Sequence, residues 1–244
     1  MRLFLRYAFL TVLACSLVSC GSDDTPGAKS DSTLQNGEIT FGGIFRMNEV
    51  QEIRTLDPVK MNDAPSHHVA HQIYDMLVDF DSNLTLQPEL AERWEVSPDG
   101  LTYTYHLRKG VMFHDNPCFP GGKGRELNAN DVKFIFDRIL DARTGTFGDS
   151  YFRGKVKGAT EYYEATLKGN APEGGVSGFR VVDSHTFAID LLNPFAAFKY
   201  YPALGFCYIY PKEAVEKYGK DFFRNPVGTA PSFLRNGARA RNSP

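Results

Sequence analysis

Cysteine is scarce in this chain, and two of its four, Cys15 and Cys20, fall within the first twenty residues. That leaves Cys118 and Cys207 for the body, either bridged in an oxidising compartment or kept as separate buried thiols, and sequence separation does not choose between the two. Reaction signatures are missing as well. There is no Gly-x-Ser-x-Gly elbow, no His-Glu-x-x-His and no Cys-x-x-Cys, so the enzymatic alternative shrinks to an exported hydrolase built on scattered acids. No stripe of Lys and Arg interleaved with aromatics occurs and the formal net charge is −2, which sets nucleic acid aside. Long apolar runs are also lacking. Tyr7 to Leu17 falls short of the roughly 20 residues that a spanning helix needs. With 244 residues, 42% hydrophobic and 23% charged, the chain has the apolar content for one sizeable core or two small ones.

What is present begins with an address. Arg2 and Arg6 precede the short apolar run, the pattern of an export signal over residues 1–19. Leu17-Val18-Ser19-Cys20 followed by Gly21 resembles a bacterial lipobox, which makes Cys20 the lipidation site and puts the protein at a membrane surface through acyl chains worth about 0.8 kcal/mol per buried methylene. Without the leader the net charge is about −4. Residues 20–37 are Ser, Asp, Gly, Thr and Pro with almost no large apolar side chain, a flexible tether.

Periodicity organises residues 38–229. Ile39, Phe41, Ile44 and Phe45 around Gly42-Gly43 suggest a strand with a glycine irregularity. Asp63 caps a helix expected to run to Val78, with Pro65 in its first turn and Val69, Ile73, Met76 and Leu77 at helical spacing. His67 and His71 share that segment at i, i+4, a spacing that can serve a metal, but no acid or thiol ligand stands beside them and a structural role is the better reading. His114, Asp115 and Cys118 fall in one loop without a second cluster and are likewise read as structural, and Gly121-Gly122-Lys123-Gly124 lacks the ending of a phosphate loop. Two hairpins are expected. Pro98-Asp99-Gly100 turns the first, with Leu101, Tyr103, Tyr105 and Leu107 on one face, and Asp183-Ser184 turns the second, with Phe179, Val181, Phe187, Ile189 and Leu191 inward. Between them Asn128, with Asp131 three residues on, caps a helix striped by Val132, Ile135, Phe136, Ile139 and Leu140. Further helices are expected over Gly158–Asn170 and Pro211–Gly219, and the aromatics between Phe195 and Tyr210 are read first as core.

The stretch from Leu90 to Asp115, Leu-Ala-Glu-Arg-Trp-Glu-Val-Ser-Pro-Asp-Gly-Leu-Thr-Tyr-Thr-Tyr-His-Leu-Arg-Lys-Gly-Val-Met-Phe-His-Asp, resembles the signature of the family 5 extracellular solute-binding proteins, receptors of bacterial ABC importers for oligopeptides, dipeptides or nickel. Thr55-Leu56-Asp57-Pro58, Leu127-Asn128-Ala129-Asn130-Asp131-Val132 and Asn225-Pro226-Val227-Gly228-Thr229 resemble family segments too. The resemblance implies an α/β fold of the type II periplasmic binding protein kind, here the N-terminal portion of the large lobe with its inserted subdomain and without the second lobe. It implies a binding protein and not an enzyme, with a peptide ligand, ABC permease subunits as partners, a periplasmic or cell-surface location, and neither cofactor nor metal. The same fold also serves nickel, haem or saccharide. By carry-over from the family, Asn48 and Glu49, just past the first strand, and the aromatics Phe147 and Tyr151 are the ligand-binding candidates. Ala230 stands where the family has Gly, and residues 230–244, with three Arg and no acid in Ser232–Pro244, read as a tail unrelated to the family, the mark of a shifted frame or premature end. Family receptors close two lobes over their cargo by a hinge, so the expectation is that this chain binds peptide weakly or not at all.

Overall fold

The computed structural model describes residues 46–232. The leader, Cys20, the tether, most of the expected first strand and the tail beyond residue 232 lie outside the described residues. Along the chain from residue 48 the elements are α1 (Ala64–Ala70), β1 (Val78–Phe80), β2 (Leu86–Pro88), β3 (Ala91–Val96), β4 (Thr102–Leu107), α2 (Ala129–Ile139), α3 (Asp149–Phe152), α4 (Ala159–Leu167), β5 (Phe179–Asp183), β6 (Thr186–Asp190) and α5 (Lys212–Tyr218), with short 3₁₀ turns between them. β1 and β2 pair as a small ribbon, and the main sheet is antiparallel in the order β3-β4-β6-β5.

Both expected hairpins form. At the first, Gly100 takes φ +70° and its amide donates to the Ser97 carbonyl at 2.8 Å, the left-handed step that glycine makes without steric cost. Tyr103, Tyr105 and Leu107 alternate into the core, and Tyr105 lies opposite Phe187 and Tyr103 opposite Ile189. The other face of the sheet is polar. There Arg180 grips Asp190 with two bonds of 2.6 and 3.0 Å, and Thr102 donates to the same carboxylate. This alternation is how an antiparallel sheet keeps one side wet.

Helix α2 covers the inner face. Asn128 and Asp131 complete the expected capping box, and Val132, Ile135, Phe136 and Ile139 are fully buried. Phe136 meets Phe152, Phe179 and Phe187 at centroid separations of 5.7, 5.3 and 5.4 Å, so α2, α3 and the second hairpin share one aromatic core. Arg138, on the same helix, reaches back 81 residues to the Thr-Leu-Asp-Pro turn. Its guanidinium donates to both oxygens of buried Asp57 at 2.6 and 2.8 Å and to the Tyr210 hydroxyl at 2.5 Å.

The helix expected over Asp63–Val78 is corrected. Its start is as read, since Asp63 accepts from the Ser66 amide at 2.9 Å, but α1 ends at Ala70 and the chain straightens into β1. Other segments take the carbonyls that a longer helix would use. Ile73 accepts from the Ala230 amide and Asp75 from the Ile209 amide at 2.9 Å. The apolar spacing of Ile73, Met76 and Leu77 records burial on several sides and not one helix face. Ala230 needs no glycine, because its φ is not positive and its methyl is buried.

Candidate functional site

The segment after Asn48 runs along α1. Ser66, locked by Asp63, accepts from the Arg54 and Thr55 amides at 3.2 and 3.4 Å, and Glu49 meets His68 Nδ1 at 3.1 Å. The Glu49 side chain is 15% exposed while His68 is 60% exposed, which presents an imidazole backed by a carboxylate at the surface. Asn48 is exposed, with no side-chain hydrogen bond among those described.

Phe147 and Tyr151 occupy the turn and short helix beyond α2. The Phe147 amide donates to the Val59 carbonyl at 3.0 Å and its ring is 51% exposed. Tyr151 is partly exposed and backed by Phe206 and Tyr201, at 5.1 and 5.5 Å between centroids. Gly148 allows this. A Cβ there would stand 2.6 Å from the Phe206 ring, so only a bare backbone lets Phe206 slide beneath Tyr151. The result is an aromatic platform, one face open and the other supported.

His67 joins the two parts. Its ring lies against Gly205, where a Cβ would fall 2.3 Å from Nδ1, next to Phe206 of the platform. Burial lowers the His67 pKa, favouring the neutral ring. Among the described residues no hydrogen bond, ion pair or ring contact links Glu49 directly to Phe147 or Tyr151. The three histidines of this region have separate partners: His67 faces Gly205, His68 faces Glu49, and His71 lies 3.2 Å from the Tyr208 hydroxyl and 3.5 Å from Asp79.

The aromatics between Phe195 and Tyr210 divide. Phe198, Phe206, Tyr208 and Tyr210 are core, whereas Tyr200, 39% exposed, stacks on Phe80 at 5.8 Å. Cys118 and Cys207 are not bridged; Cys207 is buried and its Sγ donates to the Tyr201 carbonyl at 3.4 Å. A groove of about 580 Å³ lies elsewhere, between α2, Arg143-Thr144, Gly174-Gly175 and α5, and includes none of the four candidates. Its Lys133 and Asp137 are already paired at 2.8 Å.

Sequence reasoning missed the partners that build the site: His68 behind Glu49, and Tyr201 and Phe206 behind Tyr151. The aromatic density of residues 195–210 was the available signal for the second pair. Nothing local marked the first, because His68 stands 19 residues from Glu49.

Comparison with known proteins identifies the family of the fold. Residues 85–233 match the family model described as bacterial extracellular solute-binding proteins, family 5 Middle. The chain is 32% identical over 231 residues to heme-binding protein A of Haemophilus influenzae, covering 92% of this chain and 40% of that protein. It is 42% identical over 170 residues to the dipeptide-binding protein of Escherichia coli, covering 67% of this chain and 29% of that one. A periplasmic oligopeptide-binding protein from Borrelia burgdorferi superposes with a TM-score of 0.63 at 27% identity, over 72% of this chain and 33% of its own. The chain thus spans less than half the length of each, and the fold is part of a lobe of the type II periplasmic binding proteins. A match running from the first hairpin through the sheet to the segment past α5 means that this chain belongs to the family 5 bacterial extracellular solute-binding proteins.

Proposed function

We propose that this chain is the substrate-binding component of an ABC importer, that its cargo is oligopeptide, and that it works on the outer side of a bacterial membrane, held there by acyl chains on Cys20. It binds and does not catalyse. The observation that carries the reading is the family match across residues 85–233, supported by relatives named for dipeptide and oligopeptide binding. Among the described residues no helix is long and apolar enough to cross a membrane. Delivery to permease subunits follows from the role and has no assigned surface here.

In this reading residues 48–232 supply one wall of the site. The Tyr151 platform takes a side chain of the peptide by stacking, and Glu49 with His68 offers a polar contact to its backbone or amine. One wall alone buries only part of a ligand, so this chain by itself binds peptide weakly. A second reading is haem. It is favoured by the relative named for haem that aligns over 92% of the chain and by the exposed His68 imidazole.

Calorimetric titration with defined tri- and tetrapeptides tests the proposal. Weak binding that falls further in Tyr151→Ala is expected. Tight stoichiometric binding would overturn the one-wall argument. No peptide binding, together with a shifted Soret band on adding haemin that His68→Ala abolishes, would move the cargo to haem.

A further inference from the structure

Two cations follow Tyr151 along the chain, and their surroundings differ. Arg153 is paired with Asp149 at 2.7 Å and lies over the Tyr163 ring, 4.2 Å from the guanidinium carbon to the centroid. Lys155 has no anion. Among the described residues its ammonium takes part in no ion pair and no hydrogen bond, and what it meets is the Tyr201 ring, 5.7 Å from Nζ to the centroid. That ring is one of the two that support Tyr151, at 5.5 Å and nearly perpendicular to it. By these two separations the Lys155 ammonium stands less than about 12 Å from the Tyr151 centroid.

The backbone fixes this position. The Lys155 amide donates to the Phe152 carbonyl at 3.1 Å, and its carbonyl accepts from the Leu192 amide at 2.7 Å, so the residue is tied on one side to the end of α3 and on the other to the segment leaving β6. Its side chain is half-buried. A lysine seated on an aromatic ring is held by the ring quadrupole on one side and keeps N–H donors free on the other. Without an acceptor in the protein, those donors are open to an anion that a ligand brings. Stacking alone is indifferent to charge; a cation beside the stack is not.

We infer that Lys155 gives the Tyr151 platform its selectivity: the site takes peptides in which a carboxylate, either the free C-terminus or an Asp or Glu side chain, lies on or next to the residue that stacks on Tyr151. The inference rests on the peptide reading of that platform. An extended peptide advances about 3.3 Å per residue, so a carboxylate on the stacked residue or on its neighbour comes within reach of an ammonium on a flexible four-carbon stem. A second lysine supplies the control. Lys199 lies over Tyr200 at 4.8 Å and is also outside any ion pair among the described residues, but Tyr200 stacks on Phe80 and not on Tyr151.

The test is titration of the full chain with three peptides that share one aromatic residue: Ala-Ala-Phe with a free C-terminus, the same peptide as its C-terminal amide, and Ala-Asp-Phe amide. At low salt one or both carboxylate peptides are expected to bind about three- to fivefold tighter than the plain amide, and which of them gains tells the C-terminus from an acidic side chain as the source. The ratio is expected to shrink toward one at 1 M salt, where the screening length is about 3 Å. Lys155→Met, which keeps the stem over Tyr201 without the charge, is expected to abolish the preference, while Lys155→Arg and Lys199→Met retain it. Equal affinity for all three peptides, with Tyr151→Ala still weakening each, would overturn the role of Lys155 and leave the platform standing. A preference that survives Lys155→Met, or that Lys199→Met removes as well, would overturn it too. Binding of none of the three would remove the peptide reading and the selectivity with it.

Discussion

Replacing Asp57 by Ala tests whether the Thr-Leu-Asp-Pro turn is anchored as the structure describes. The Asp57 carboxylate is 5% exposed and the Arg138 side chain 12% exposed, so the substitution leaves a buried cation. Removing one partner of such a pair costs about 3–5 kcal/mol. Arg138 keeps its bond to Tyr210 and its place over the Tyr210 and Phe222 rings, 5.5 and 5.8 Å from their centroids, which puts the expected loss near 3 kcal/mol, the lower end of that range. With a urea slope of about 2 kcal/mol/M the unfolding midpoint falls by about 1.5 M. The assay is built in, because Trp94 is the one tryptophan and lies on β3 opposite Tyr105, where its fluorescence follows the sheet. Adding Arg138→Met to Asp57→Ala removes the orphaned charge, so the double variant is expected to be more stable than Asp57→Ala alone. A midpoint within about 0.5 M of wild type for Asp57→Ala, or a double variant with additive losses, would refute the reasoning.

Gly148→Ala drives a methyl into the Phe206 ring and is expected to cost about 1–3 kcal/mol by urea unfolding, with the platform beneath Tyr151 displaced. Tyr105→Phe is expected to be neutral or stabilising by up to about 1 kcal/mol in the same assay, because the Tyr105 hydroxyl is buried without a hydrogen-bond partner among the described residues. Stability should also fall as pH rises from 6 to 9. A carboxyl whose folded value is raised to about 8 contributes stability that is complete below its unfolded value near 4.3 and lost as pH climbs through 8, and urea midpoints of Glu89→Gln should show a flatter profile over that window.

The hairpins and α2 were legible because their signals are local and mutually consistent. Pro98-Asp99-Gly100 supplies the turn, Tyr103, Tyr105 and Leu107 supply the alternation, and Asn128 with Asp131 supplies the cap, all confirmed in place. The segment Ile73–Leu77 failed for the opposite reason. Its apolar residues recur at helical spacing, but what fixes its backbone lies far along the chain, at Ile209 and Ala230. A period of 3.6 reports burial direction only where one partner surface receives all the side chains, and here more than one segment packs against the stretch.

The candidate site divides along the same line. Exposed aromatics at 147 and 151 came from family resemblance, and Tyr201 and Phe206, the neighbours of Tyr151, from a region whose composition alone suggested core; the platform exists because Gly148 lacks the Cβ that would keep Phe206 away from Tyr151. Glu49 and His68, like Asp57 and Arg138, are charged or polar pairs whose members are separated by 19 and 81 residues. Such pairs carry no periodicity, so local pattern cannot show them. They are also the groups most costly to leave unpartnered once buried, which is why the topology that joins the two hairpins to α1 and α2, more than any motif, determines where such pairs can meet.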